Sequence, residues 1–270
     1  MNNYINMNNY MKKIIIFILL LICIIYIYLT DGYFIRKLLP LKNVSNKPIK
    51  KIMIGCPTID RDIAKAPKMY EKMRESILHL SNNNNVEVNI IIVTRETDNK
   101  MIKFWNDKAN KIILVPDYNI NLKARHNLNA ITAKMNILSQ YCLDNNYDAL
   151  VIIESDVYSN IDTLTNLINC LYYNHVSFAY GNIPWKNEPV IVMPGIFKPK
   201  IIYPKEKKIW KQAHGSWTGC VAIRKEVLHN KPFINKKFQD IVGQDVGFYI
   251  KCFHNRFRVF VTDYIEHDYK

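Results

Sequence analysis

Apolar positions along this chain fall into three kinds of block. The first is an uncharged run, Ile14 to Thr30 (IIIFILLLICIIYIYLT), preceded by Lys12 and Lys13. A stretch that is apolar on every face is unlike a helix half buried in a globular core. At 1.5 Å per residue it reaches roughly 25 Å, near the low end for a bilayer span. Tyr26 and Tyr28 stand where interfacial aromatics would. No small-residue cleavage site precedes Asp31, so the run reads as an uncleaved signal anchor. The expected division is a tail over 1–13, a transmembrane anchor over 14–30, a stem over 31–50 interrupted by Pro40 and Pro48, and one large domain over 51–270.

The second kind is a short continuous apolar run bounded by turn residues, the pattern of a strand buried on both faces. Lys51 to Cys56, Val86 to Thr94, Lys111 to Val115, Ala149 to Ile153, Val176 to Tyr180 and Val259 to Val261 read this way, as does the run that follows Gly219. The third kind has helical spacing: Pro67 to Leu80, with Met69, Met73, Ile77 and Leu80 on one face, then Leu122 to Asn145, Ile161 to Tyr173, and the stretch from Gly243 to Phe253. The asparagine run Asn82 to Asn85 is expected to be a turn. Strands alternating with helices, each strand a continuous apolar run, predict an α/β fold with a mostly parallel sheet and helices on both faces. Residues 186–213 carry Lys198, Lys200, Lys205, Lys207, Lys208 and Lys211 and read as a long irregular loop of functional type.

Charge narrows the partners. The net charge is +14, and Lys12 and Lys13 are the only charges before Asp31, so nearly all of it belongs to the domain. A basic domain suits an anionic partner. The lysines are dispersed, and no arginine-rich block, zinc-finger spacing or aromatic RNA-binding signature is present, so a nucleic acid is not the expected one. The six cysteines contain no CxxC pair; Cys23 lies within the apolar run, and the other five read as small buried side chains.

Ligands of such sheets bind beyond the carboxyl ends of the strands, which directs attention to the loops after Cys56, Thr94 and Ile153. The strongest motif there is Glu154-Ser155-Asp156, directly after the run Ala149 to Ile153. Residues i and i+2 of an extended chain point the same way. Two carboxylates so placed suit a hard divalent cation that keeps waters and substrate phosphates as its other ligands. Upstream, Ala124-Arg125-His126-Asn127 opens a helical stretch, where a helix N-terminus and an arginine suit a phosphate. Downstream, Trp217-Thr218-Gly219-Cys220 offers an aromatic and small residues for sugar stacking and close backbone approach. Asp245, in Gly243-Gln244-Asp245, opens the last helix and suits a base beside an acceptor hydroxyl. His267 stands near the end of the chain as a candidate metal ligand.

In that order, with Cys56-Pro57-Thr58 after the first strand and Thr94 to Asp98 after the second, these segments resemble the motifs of GT-A fold glycosyltransferases, in particular the broad family-two-like group. The resemblance covers residues 51–268. It implies a GT-A-like, Rossmann-type sheet and transfer of a sugar from a nucleotide-diphosphate sugar to a hydroxyl of a glycan, protein or lipid acceptor, with inversion, helped by manganese or magnesium. Within it, Pro57, Thr58, Asp98, Arg125, Glu154 and Asp156 are expected to bind the donor, and Trp217 and Gly219 the acceptor. Asp156 and His267 are expected to hold the metal, and Asp245 to act as the base. The alternative is an inactive anchored carbohydrate-binding or scaffold protein. Single-pass membrane placement is expected, with the domain lumenal rather than cytoplasmic on the strength of the Asn43-Val44-Ser45 sequon, although Arg36, Lys37, Lys42 and Lys47 after the run argue the other way.

Overall fold

The structure, a computed structural model, describes residues 2–29, 38–116, 128–183, 188–189, 191–193, 200–202, 215–216, 219–234, 236–238 and 241–267. In chain order the elements are α1 (Asn2–Leu29), β1 (Lys51–Pro57), α2 (Ala66–Asn84), β2 (Glu87–Arg95), α3 (Asn99–Trp105), β3 (Lys111–Val115), α4 (Leu128–Asp144), β4 (Ala149–Ile153), β5 (Val157–Tyr158), α5 (Thr163–Leu171) and β6 (Val176–Tyr180). There follow β7 (Asn182–Ile183), β8 (Glu188–Pro189), β9 (Ile191–Met193), β10 (Lys200–Ile202), β11 (Gly215–Ser216), β12 (Cys220–Arg224), β13 (Lys236–Phe238), β14 (Ile241–Gly243), α6 (Gln244–His254), β15 (Val259–Tyr264) and β16 (Glu266–His267).

The expected α/β layout is present. A seven-stranded sheet runs in the order β15-β6-β12-β4-β1-β2-β3. All its pairings are parallel except those of β12, which is antiparallel to both β4 and β6. β1 and β4 bury nearly every residue on both sides, which is why they read as unbroken apolar runs rather than alternating ones. Ile52, Ile54, Val151 and Ile153 pack on one face against α2, α3 and α5. Met53, Leu150 and Ile152 pack on the other against α4 and α6. Gly55 lets α4 approach β1, because a β-carbon there would meet the Leu138 methyls at 2.8 and 2.9 Å. Cys56, Cys142, Cys220 and Cys252 are buried free thiols, and burial pushes those of Cys56 and Cys142 up to about 12, so they serve as packing.

Several expectations are corrected. The asparagine run is not a turn as a whole: α2 continues to Asn84, and the reversal falls on Asn85, in the left-handed region at φ 49° with its N–H on the Ser81 carbonyl at 3.2 Å. Asparagine tolerates that conformation and so closes the helix. Helix α3 lay unread between β2 and β3. The loop expected over 186–213 contains the strands β8, β9 and β10, with β9 between β10 and β11 in a small separate sheet. The start expected for α4 at Leu122 lies outside the described residues.

The stem also differs from a free tether. Over residues 39–49 it lies against the domain. Lys42 N–H donates to the Arg256 carbonyl at 2.8 Å, and the Arg256 guanidinium to the Leu39 carbonyl at 2.5 Å. His175 is buried, accepts the Arg258 N–H on Nδ1 at 3.0 Å and meets the Asn43 carbonyl through Nε2 at 3.2 Å. Buried Arg224 reaches the carbonyls of Lys47 and Leu171 at 3.1 and 2.8 Å and the Glu226 carboxylate at 2.9 Å. Ile49 is buried in the core.

Helix α1 presents apolar side chains to solvent from Ile14 to Ile25. Among the described residues no helix is long and apolar enough to cross a membrane.

Candidate active site

Sheet topology gathers distant segments at one edge. β1 and β4 are parallel, so the turns after Pro57 and Ile153 emerge side by side. Antiparallel β12 starts where β4 stops, with Cys220 opposite Ile153, so Gly219 arrives at the same edge. Its carbonyl accepts the Glu154 N–H at 2.9 Å. β15 runs parallel to β6 and delivers β16 to that edge, where His267 pairs with Val157 beside Asp156.

The turn after β4 is braced by a residue missing from the expected set. Asp62 closes a 3-10 turn, Asp60–Asp62, and is buried; its Oδ2 accepts the Ser155 hydroxyl at 2.7 Å. The central serine of Glu154-Ser155-Asp156 thus ties the turn after β4 to the 3-10 turn after β1. Asp62 was findable in principle, since it follows the same strand end as Pro57 and Thr58.

Asp98 holds that 3-10 turn in place. The residue is fully buried; its carboxylate accepts the Asp60 N–H at 3.2 Å, the Thr94 hydroxyl at 2.8 Å, the Arg95 N–H at 3.0 Å and the Arg95 guanidinium at 2.6 Å. Asp60 in turn accepts the Met101 N–H at 2.8 Å at the start of α3. Burial alone would raise the Asp98 carboxyl, but the hydrogen bonds from Arg95, Thr94 and Asp60 outweigh it and hold it at about 2. A depressed carboxyl stabilises the fold above its unfolded value near 3.8, and this support is lost as pH falls toward 2. The surroundings of Asp98 thus make it an anchor for the loop; meeting a nucleotide base would require breaking these bonds.

Thr58 is buried just beyond β1. Its N–H donates to the Val93 carbonyl at 3.0 Å, and its carbonyl accepts the Lys134 ammonium of α4 at 2.5 Å. Lys134 is only 5% exposed and was unread in the sequence. It brings a buried ammonium to the carboxyl edge of β1. The Thr58 hydroxyl and the Gln244 side-chain oxygen are buried without a protein partner. Arg125 and Trp217 lie outside the described residues, and for His267 only the backbone is described.

The electrostatic centre is Glu154. One of its carboxylate oxygens is buried without a protein partner. Its carboxyl is raised well above the ordinary value, first by burial and then by the negative charges of Asp156, Asp245 and Asp62. Asp245 stands in the first turn of α6. The fold has therefore converged four carboxylates from three separate segments: the turn after β4, the 3-10 turn after β1 and the first turn of α6. Among the described residues no three His, Cys, Asp or Glu side chains form a ready metal cage. The arrangement still fits a divalent cation of magnesium type, which takes one or two carboxylates and fills its shell with water and substrate oxygens.

The sign of the pH effect follows. A carboxyl whose folded value is raised favours the fold at low pH, and that contribution disappears as pH climbs from the unfolded value near 4.5 through the folded one. Glu154→Gln is expected to raise the melting temperature of the metal-free protein near neutral pH by roughly 2–4 °C, as removal of about 1 kcal/mol of charge strain would. Thermal melts from pH 5 to 8 check this, and a variant that melts with the parent at every pH would show the carboxylate to be well solvated.

No protein-family model matches the chain, and no curated protein matches it. Among solved structures it is similar to the 4-diphosphocytidyl-2C-methyl-D-erythritol synthase of Anaerococcus prevotii, at 13% identity and TM-score 0.47, covering 80% of this chain and 88% of that one. It is similar to the inositol-1-phosphate CTP transferase of T. maritima, at 14% identity and TM-score 0.42, covering 81% and 87%. A nucleotidyl transferase of Methanothermobacter thermautotroptrophicus gives 9% identity and TM-score 0.41, covering 80% and 88%. Identities and scores this low lend no weight to any activity.

Proposed function

We propose that this chain is a membrane-anchored glycosyltransferase that uses a nucleotide-diphosphate sugar and a divalent cation, manganese or magnesium. The observation that carries this reading is Glu154: a carboxylate with a buried unpartnered oxygen, set among three further acids at the carboxyl edge of a parallel sheet. Such a concentration of negative charge calls for a cation, and the edge is where ligands of these sheets bind.

In this reading Asp156 and Glu154 hold the cation, with His267 as a further ligand, and the bound ion supplies charge neutralisation for a diphosphate leaving group. Pro57, Thr58, Arg125 and Lys134 line the donor side, where the lysine and arginine attract phosphate. Trp217 and Gly219 border the acceptor, which is a hydroxyl of a glycan, protein or lipid. Asp245 takes the proton from that hydroxyl as it attacks the sugar carbon, and a base on the acceptor side favours inversion. Helix α1, apolar and exposed from Ile14 to Ile25, is the anchor of this reading.

A panel of nucleotide sugars with and without manganese tests it. A donor present at about 100 times its dissociation constant is expected to raise the melting temperature by roughly 5–10 °C, and only with the metal. Turnover is expected to release a nucleoside diphosphate. Release of inorganic pyrophosphate from a nucleoside triphosphate would assign nucleotidyl transfer instead, and saturable glycan binding with no nucleotide or metal affinity would assign a scaffold.

A further inference from the structure

The segment that follows the apolar helix is neither a tether nor a neutral edge. Leu38, Leu39 and Leu41 are 72%, 49% and 46% exposed, three leucines in four residues facing water. Lys42, Lys47 and Arg258 are exposed next to them. The docking contacts fix these groups together: Lys42 N–H holds the Arg256 carbonyl, the Lys42 ammonium lies 4.6 Å from the Phe257 ring centre, and His175 ties Arg258 to Asn43. Glu226, which pairs with the Arg224 that holds the Lys47 carbonyl, has its charge met at 2.9 Å. The result is an apolar tip rimmed by cations, the chemistry of a surface that enters the headgroup layer of an anionic bilayer.

Chain length sets where this surface can be. Leu29 ends α1 and Leu38 begins the next described segment. A fully extended chain over that interval spans at most about 30 Å, so a helix inserted in the bilayer keeps the patch within about that distance of the membrane surface. We infer that the exposed leucines and the basic rim formed by Lys42, Lys47 and Arg258 seat the domain on anionic lipid headgroups. This rests on α1 being a membrane anchor, as proposed above. It assigns the domain to the anionic, cytoplasmic leaflet, against the lumenal side that the sequon at Asn43 suggested.

The test uses the full-length chain in nanodiscs of phosphatidylcholine, with or without added phosphatidylserine. Acylation of individual lysines is read by mass spectrometry. Lys42 and Lys47 are expected to label several-fold more slowly in the anionic discs, and high salt is expected to restore their labelling. Exposed Lys111, on the strand at the opposite edge of the sheet, serves as the control and is expected to be unchanged. Arg258→Glu is expected to reduce the protection without releasing the protein from the disc. Equal labelling of Lys42 and Lys47 in both lipids overturns the proposal while leaving the anchor standing. Failure of the chain to float with neutral vesicles overturns the anchor itself. An N-glycan at Asn43 after expression in eukaryotic cells places the domain on the lumenal side and also overturns the assignment.

Discussion

Gly247→Ala is expected to cost about 3–4 kcal/mol of stability, more than an ordinary helix-interior glycine change, which gains rather than loses. A methyl at this position in α6 would lie 1.7 Å from the carbonyl oxygen of Ile234 and 2.7 Å from its carbonyl carbon. The obstruction is backbone, so no rotamer relieves it. Nor can the segment retreat easily. Phe233 stacks on Phe248 of the same helix, with ring centres 4.7 Å apart. Asn136 of α4 donates to the Phe233 carbonyl at 2.8 Å and accepts its N–H at 3.1 Å. The strand-like segment is thus fastened to two helices, and the methyl must push one of them away. A urea denaturation midpoint measures the loss. Because Asp245 is two residues away on the same helix, catalysis is expected to fall with stability. A midpoint equal to that of the parent would show that the segment moves without cost.

The second large effect concerns chemistry rather than folding. Asp245→Asn is expected to lower turnover about 10²–10⁴-fold, the usual contribution of a general base. The amide retains the shape of the side chain and removes a negative charge from beside Glu154, where burial and three other acids already oppose ionisation. Folding is therefore expected to be unharmed, and the donor-dependent rise in melting temperature is expected to persist. Turnover with the donor at saturation separates the two. A variant retaining parental turnover removes Asp245 from the proposed mechanism.

Much of the fold could be read from side-chain pattern because the central strands are buried on both faces: β1 and β4 have no polar face to interrupt the run. Helix α3 escaped because it is a single short segment whose buried residues, Met101 and Trp105, are one helical repeat apart. The end of α2 escaped because asparagine favours turns in isolation, whereas Leu80 at 0% exposure and the left-handed Asn85 fix the helix to its last residue here. At the site, the run into Glu154-Ser155-Asp156 was legible since its position relative to the strand end follows from the chain alone. The role of Asp62 was not: its contact with Ser155 spans 93 residues and exists only because β1 and β4 are neighbours. Lys134 was hidden for a related reason. On a helix, a lysine normally faces water, and only the packing of α4 onto β1 turns it toward Thr58. Asp98 shows the converse. An acid at a strand end looks like a ligand until its hydrogen bonds are seen, and these all run within the protein.

The clasp between residues 39–49 and the domain edge bears on how a water-soluble form should be cut. Trimming the chain at Lys51, the natural choice if everything before the first strand were linker, would delete the Asn43 and Lys47 carbonyls and the Ile49 side chain. His175 and Arg224 would then be left buried with hydrogen-bonding capacity facing nothing, and Ile49 would leave a hole in the core. A cut ahead of Leu38 removes the apolar helix and keeps the clasp whole, so the smaller deletion is the one that preserves the domain's edge.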